Sequence, residues 1–288
     1  MQLKLKLNGS AEPLTKWFSA FAKIRPSLLV EIDCDGNRFV AKTFTEDHSA
    51  VRYSAITFEE CNCSVTLSDG KDVVGNSRIK MGLISTLPRL IKTLEQIASD
   101  TDETGKSNFD IAVHYEAASV PEGTDFVVTA VSFRSSKLSM KMDTFRIKEF
   151  KYLPDDVFFS KVFYVDNPVT FNVAPATIES IVKISDITKV EPKKDKLVFH
   201  TDGTSVLISD IPLAKGKEDD PNFTFKIGDA TEESHSPIRI PFLRALFIQM
   251  MDKSNENYTV SLGYGGGIPR LMFESNDSNT RVVIGGIY

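Results

Sequence analysis

Cysteine, histidine and tryptophan are all scarce in this chain, at three, four and one among 288 residues. Cys34, Cys61 and Cys63 are too few and odd in number for a disulfide framework, which points to a reducing, cytoplasmic setting. No apolar run approaches the roughly 20 residues that span a bilayer, so no membrane association is expected. The opening QLKLKL alternates like a strand and lacks the apolar core of a signal peptide. Without a route to a glycosylating compartment, the sequons at Asn8, Asn62, Asn222 and Asn257 carry no meaning.

Catalytic and ligand-binding motifs are equally thin. His48, His114, His200 and His235 sit in unrelated contexts, none with a second ligand at metal spacing. Cys61-x-Cys63 has no further Cys or His pair to complete a zinc site. Asp33-x-Asp35-Gly36 opens like a calcium loop but lacks the later ligands, so a hairpin turn is expected there. The glycine run Gly263–Gly267 leads into a strand through Ile268-Pro269 rather than into a helix, which makes it a turn and not a phosphate cradle. Gly216-Lys217 is followed by Glu218, so there is no P-loop. The expectation is a protein with no enzymatic activity, no metal and no cofactor.

What is present is a pattern repeated four times: a strand-like segment, a proline, an amphipathic helix of about three turns, then more strands. The copies begin at Lys4, Arg78, Val169 and Pro237, and their helices are expected to open near Pro13, Pro88, Pro175 and Pro241, because proline suits a first helical turn whose N–H groups are unpaired anyway. In the first helix Leu14, Trp17, Phe18, Phe21 and Ile24 form the buried stripe; in the second Leu87, Leu90, Ile91, Leu94 and Ile97 do so. The third buries Ile178, Ile181 and Val182. The fourth buries Phe242, Leu243, Leu246, Phe247 and Met250 and leaves Arg244, Gln249 and Lys253 outside. Between the helices lie short β-branched and aromatic segments separated by turn residues, about fourteen to sixteen strands in all. The fold class is therefore α+β, dominated by antiparallel sheet. Units one and two pair into a domain at 1–145, units three and four into a domain at 168–288, and 146–167 reads as a connector.

Charge is unevenly placed. The net charge is −5, yet the helical stretches 13–25, 87–98, 175–189 and 241–253 hold nine basic and four acidic residues, against 25 and 35 in the remainder. A body that is acidic overall and positive on its helices can aim those helices at a polyanion.

Two like domains, each with two strand–helix units, joined by a connector, resemble the DNA polymerase sliding clamps of the proliferating cell nuclear antigen and T-even phage type. The likeness spans the chain and is clearest in TFNVAPATIESIVKIS, the hairpin KLVFHTDGTSVLIS and SPIRIPFLRALFIQMMDKSNENYTVSLGY. It rests on the order of elements rather than on a signature motif. The chain is longer than the family's usual length, with larger loops, and lacks a strong match to the cellular eukaryotic clamp. That points to a virus or phage, and so to the host-cell cytoplasm. The resemblance implies the DNA-clamp fold, two pseudo-symmetric domains with antiparallel sheets and two helices on one face of each. It also implies a homotrimeric ring with sheet outside and helices around duplex DNA, bound without sequence specificity. Lys16, Lys23, Arg25, Arg89, Lys92, Lys183, Lys189, Arg244 and Lys253 would then face DNA. Subunits would join through edge strands carrying Lys137, Ser139 and Lys141 on one side and Phe223, Phe225 and Ile227 on the other. A DNA polymerase and a clamp-loader ATPase would be partners, with Leu153, Phe158, Phe159, Ile287 and Tyr288 near a peptide pocket. Two other readings are a monomeric clamp-fold processivity subunit and a structural or virion β-protein.

Overall fold

In the computed structural model, residues 2–7, 10–25, 28–67, 78–83, 86–99, 109–120, 123–134, 138–144, 160–187, 195–201, 204–210, 223–231, 238–251 and 256–287 are described. They divide into two compact units. Unit 1 comprises Met1–Thr43 and Tyr53–Leu153, and unit 2 comprises Phe44–Arg52 and Pro154–Tyr288.

Unit 1 runs β1 (Gln2–Leu7), α1 (Glu12–Ala22), β2 (Leu28–Asp33), β3 (Arg38–Phe44), β4 (Ala50–Thr57), β5 (Cys63–Leu67), β6 (Arg78–Leu83), α2 (Leu87–Ser99), β7 (Phe109–Val120), β8 (Gly123–Arg134) and β9 (Ser139–Asp143). The strand order is β4-β3-β2-β6-β8-β7-β1-β5, with β9 paired to β8. Among the described residues β6 runs parallel to β8, with Ile79 and Lys80 opposite Phe126 and Val127, whereas β1–β5, β1–β7, β2–β3, β2–β6, β7–β8 and β8–β9 pair antiparallel.

The two helices of unit 1 lie side by side because each has a single apolar stripe to bury. Leu14, Trp17, Phe18 and Phe21 from α1 and Leu87, Leu90, Ile91, Leu94 and Ile97 from α2 meet Leu5, Ile32, Phe39, Met81, Ile111 and Phe133 from the strands. Trp17 packs edge-on against Phe18 at 4.9 Å and Phe21 at 5.4 Å. Its indole N–H donates to Ser54 Oγ at 3.1 Å, so the one polar atom of that ring is satisfied. Full burial of each such side chain contributes about 1.5–3 kcal/mol.

Unit 2 runs β10 (Asp166–Val173), α3 (Pro175–Ile187), β11 (Lys196–Thr201), β12 (Ser205–Ser209), β13 (Thr224–Asp229), β14 (Arg239–Leu243), α4 (Arg244–Met251), β15 (Tyr258–Gly265), β16 (Ile268–Ser275) and β17 (Thr280–Gly285). One sheet has the order β10-β15-β16-β17 and continues into the first residues of β4, where Gly285 N–H donates to Ser49 O at 2.7 Å. The other has the order β13-β12-β11-β14. A run of rings fills the core: Phe199 lies 5.4 Å from Phe242 and 5.9 Å from Phe247, and Phe273 lies 6.1 Å from Phe247 and 5.8 Å from Tyr258.

Three helices open at their prolines, with Pro13 and Pro88 in the first turn and Pro175 at the first position. The fourth does not. Pro241 sits inside β14, opposite Val198, and α4 starts three residues later. Ile240 and Phe242 alternate into the core at 1% and 0% exposure, a strand period that overrides the proline signal. Among the described residues β14 ends its sheet, a position where a strand tolerates proline.

Candidate functional site

Three surfaces carry the chemistry. The first is the exposed faces of the helices. On α1, Lys16 stands in solvent with its Nζ 2.7 Å from Glu12 Oε1, one turn earlier. Lys23 is exposed just past the helix end and Arg25 is half-buried. On α2, Arg89 and Lys92 are exposed three residues apart and make no ion pair among the described residues. On α3, Lys183 repeats the α1 arrangement, 2.7 Å from Glu179 Oε1. Lys189 and Lys253 lie outside the described residues.

Arg244 corrects the sequence reading, which placed it on the outer face of the fourth helix. It is 1% exposed, and its Nε lies 2.7 Å from Asp195 Oδ1. The helix begins at Arg244 itself, and its N–H donates to Asp195 O at 3.1 Å, which anchors this first residue to the segment before β11. The guanidinium carbon sits 5.8 Å from the centre of the Phe223 ring, and Asp210 Oδ1 accepts the Phe223 N–H at 3.2 Å. Burial pulls Arg244 below its ordinary pKa, while Asp195 and Asp210 push it back up. Arg244 is thus a structural cation tying α4 to the start of β13, and it is withdrawn from any phosphate.

The second surface is a pair of strand edges. Among the described residues β9 pairs only with β8; Ser139, Lys141 and Asp143 are exposed and Met142 is buried. Among the described residues β13 pairs along its length with β12 alone, with a bridge from Ala230 to Phe171 just beyond its end. Phe223 and Phe225 are half-buried and Ile227 is buried, so what β13 offers is its backbone edge and the exposed Thr224 and Lys226. Lys137 lies outside the described residues.

The third surface is the end of the connector, in unit 2. Leu153, Phe158, Phe159 and Tyr288 lie outside the described residues. Ile287 is half-buried, and its N–H donates to Pro241 O at 2.8 Å. The residues that define this surface are ones the sequence reading missed. Tyr164 is 58% exposed and Ile268 47%, unusual for side chains of this size in a described region that buries nearly all its other large apolar groups. In register, Ile268 faces Gly265 and Arg270 faces both Gly263 and Gly285, so these five residues share one face of the sheet. The glycines leave that face shallow. A Cβ on Gly265 would lie 2.3 Å from Tyr164 O, and one on Gly263 would lie 2.9 Å from Val165 Cγ1, because the chain from Tyr164 to Pro168 passes directly over them. A hydrogen bond to Asp166, and the charge of that carboxylate, hold the Tyr164 hydroxyl above its ordinary pKa. The legible signal was the glycine run itself. Gly266 and Gly267 make the turn, with φ of +61° and +81°, whereas Gly263 and Gly265 make the floor.

No group of three or more His, Cys, Asp or Glu side chains among the described residues is placed to hold a metal ion. No helix among the described residues is long and apolar enough to cross a membrane. Cys61 and Cys63 are both buried, Cys61 Sγ donates to Thr57 O at 3.1 Å, and the neighbouring Cys61 together with burial pushes the Cys63 thiol far up.

Comparison with known proteins returns no matching family model and no matching curated protein. Solved structures do match. A complex of A. fulgidus PCNA with the C-terminal region of FEN-1 aligns with a TM-score of 0.63 at 12% identity, over 99% of this chain and 98% of that one. PCNA from Thermococcus kodakaraensis gives 0.61 at 9% identity, over 99% and 100%. A PCNA2–PCNA3 complex from Sulfolobus tokodaii gives 0.59 at 11%, over 99% of each chain. The chain has the α+β fold of the PCNA sliding clamps from end to end.

Proposed function

We propose that this protein is a DNA polymerase processivity factor: a sliding clamp that closes as a homotrimer around duplex DNA and tethers the polymerase, without catalysis of its own. The observation that carries the reading is the pair of open strand edges, β9 in unit 1 and β13 in unit 2, on a chain with the clamp fold throughout. Two different edges on one subunit make a heterologous contact, which propagates head to tail and closes where the rotation allows. The complex of PCNA2 with PCNA3 supports association between clamp chains. The FEN-1 segment on A. fulgidus PCNA supports capture of partner peptides, and here we assign that role to the surface around Tyr164 and Ile268.

Exposed Arg89 and Lys92, with Lys16, Lys23 and Lys183, would meet phosphates without reading bases, which permits sliding. Their small number argues against the alternative of a monomer holding DNA by charge alone, since such a protein needs many phosphate contacts. A loader ATPase would open the ring. The enlarged loops fit a viral or phage protein acting in the host cytoplasm.

Light scattering across a dilution series tests the reading. One chain is 32.0 kDa, so the ring appears near ~96 kDa. A monomer at every concentration sinks the ring.

A further inference from the structure

One side chain reaches three backbone carbonyls at the connector end. Arg270 Nη1 donates to Tyr164 O at 2.6 Å, Lys161 O at 2.8 Å and Val162 O at 3.2 Å. These are carbonyls of the helical residues 160–162 and just beyond them, groups that lack partners along the helix at its C-terminal end. Nη1 has two N–H groups for these three carbonyls, so one of them is shared, and the planar guanidinium fixes the direction in which they point, where a lysine ammonium would be mobile. Burial pulls the Arg270 guanidinium below its ordinary pKa against the charge of Asp166, whose Oδ2 accepts the Gly266 N–H at 3.2 Å, so the carboxylate pins the turn that follows.

The fit is built on both sides. Arg270 stands in the β16 row between Gly263 and Gly285, and a Cβ on Gly265 would lie 2.4 Å from Arg270 Nη1 as well as 2.3 Å from Tyr164 O. Any side chain at Gly265 displaces the guanidinium or the connector. The same contact leaves Tyr164 exposed, with its carbonyl over Gly265, the residue opposite Ile268 in the β15–β16 register.

We infer that Arg270 is a positioning residue: it locks residues 160–164 onto the glycine floor and so holds the Tyr164–Ile268 dock in its partner-ready shape before any partner arrives. The inference rests on the docking role proposed above for this surface. The guanidinium's contacts are to backbone carbonyls, so its effect on a partner is indirect. Preformed docks bind more tightly because ordering is completed in advance.

The test compares the full-length protein with Arg270→Met, Arg270→Lys and Gly265→Ala, using hydrogen exchange at the amides of residues 160–166 and thermal unfolding on the same samples. Arg270→Met and Gly265→Ala are expected to speed exchange there roughly tenfold while amides inside β15 and β17 keep their protection. Arg270→Lys should fall between. Titration with a labelled peptide spanning the C-terminal region of FEN-1 then reads the dock, with affinity expected to fall about tenfold in Arg270→Met. Unchanged exchange at 160–166 in Arg270→Met overturns the lock. Faster exchange with unchanged peptide affinity overturns the positioning role. Failure of the unaltered protein to bind the peptide instead counts against the docking reading itself, and the exchange data still decide the lock.

Discussion

At the scale of single residues, Arg89 and Arg244 look alike in the sequence and do opposite things. Both fall on the polar side of an amphipathic pattern, yet one is exposed on α2 and the other is sealed against Asp195. Nothing local marks the difference, because Asp195 is 49 positions away and only the fold brings it to Nε at 2.7 Å. Arg244→Met should therefore destabilise unit 2 by about 3–5 kcal/mol in a denaturant titration, since it strands a buried carboxylate. Arg89→Ala should stay within about 0.5 kcal/mol of the unaltered protein in the same titration. Glu256 is a second case that only the structure reveals. Burial raises its pKa, and the opposing effects of Arg52, the Thr280 hydroxyl at 3.2 Å and Tyr258 do not bring it back down. A carboxyl whose folded pKa is raised binds its proton more tightly in the folded state. Its contribution is then most favourable below the ordinary glutamate pKa and declines as pH rises through the folded value. Glu256→Gln removes that decline, so urea midpoints should favour the variant increasingly as pH rises above the ordinary glutamate pKa of about 4.3. A constant difference across that range would mean that the side chain does not titrate there.

At the scale of elements, strands and three of the four helices were readable because period and punctuation agreed. Leu14, Trp17, Phe18 and Phe21 recur at helical spacing and are all buried, and Pro13 lies in the first turn. Pro241 misled because the same residue type that starts a helix is also tolerated on an edge strand. The parallel contact of β6 with β8 was not legible, since pairing between distant strands leaves no period in either one. Turn chemistry could have been read further than it was. In the β3–β4 turn Asp47 Oδ1 accepts the Thr45 hydroxyl at 2.7 Å and the Ser49 N–H at 3.1 Å. The β16–β17 turn repeats this with Asp277, which accepts from the Ser275 hydroxyl and from Asn279 N–H at 3.0 Å. His48 and Ser278 follow with φ of 59° and 58°. Burial acts to raise both carboxyls, but these hydrogen bonds outweigh it and hold them below their ordinary pKa. The stability they contribute is present above the unfolded aspartate pKa and is lost as pH falls through the folded one. Asp47→Ala and Asp277→Ala should each lower stability by about 1 kcal/mol at neutral pH, converging on the unaltered protein in acid.

At the scale of the whole molecule, the charge ledger decides what kind of DNA binding is physically reasonable. The net charge is −5, and the excess of basic residues on the helical stretches is thinner in three dimensions than in one. Arg244 is buried, and Lys16 and Lys183 each have a glutamate one turn away at 2.7 Å. Such a chain gains little from counterion release, so its hold on short linear duplex should be weak, with Kd at about 10⁻⁴ M or above, and should fade further with salt. A topological link escapes this limit, because a closed ring stays on a circle without any net attraction. The distinguishing experiment lets subunits assemble in the presence of covalently closed circular duplex and then passes the mixture through gel filtration at about 0.5 M salt, where phosphate contacts are largely screened. The clamp reading predicts co-elution with the circle and release once a single restriction cut lets the ring run off the end. Ser139→Glu on the β9 edge, paired with Thr224→Glu on β13, adds like charge to both edges at positions that are neutral and exposed, and should abolish retention while leaving each chain folded. Retention that survives linearisation, or loss from the circle at the same salt as from linear DNA, would remove the ring from the account and leave an ordinary electrostatic binder.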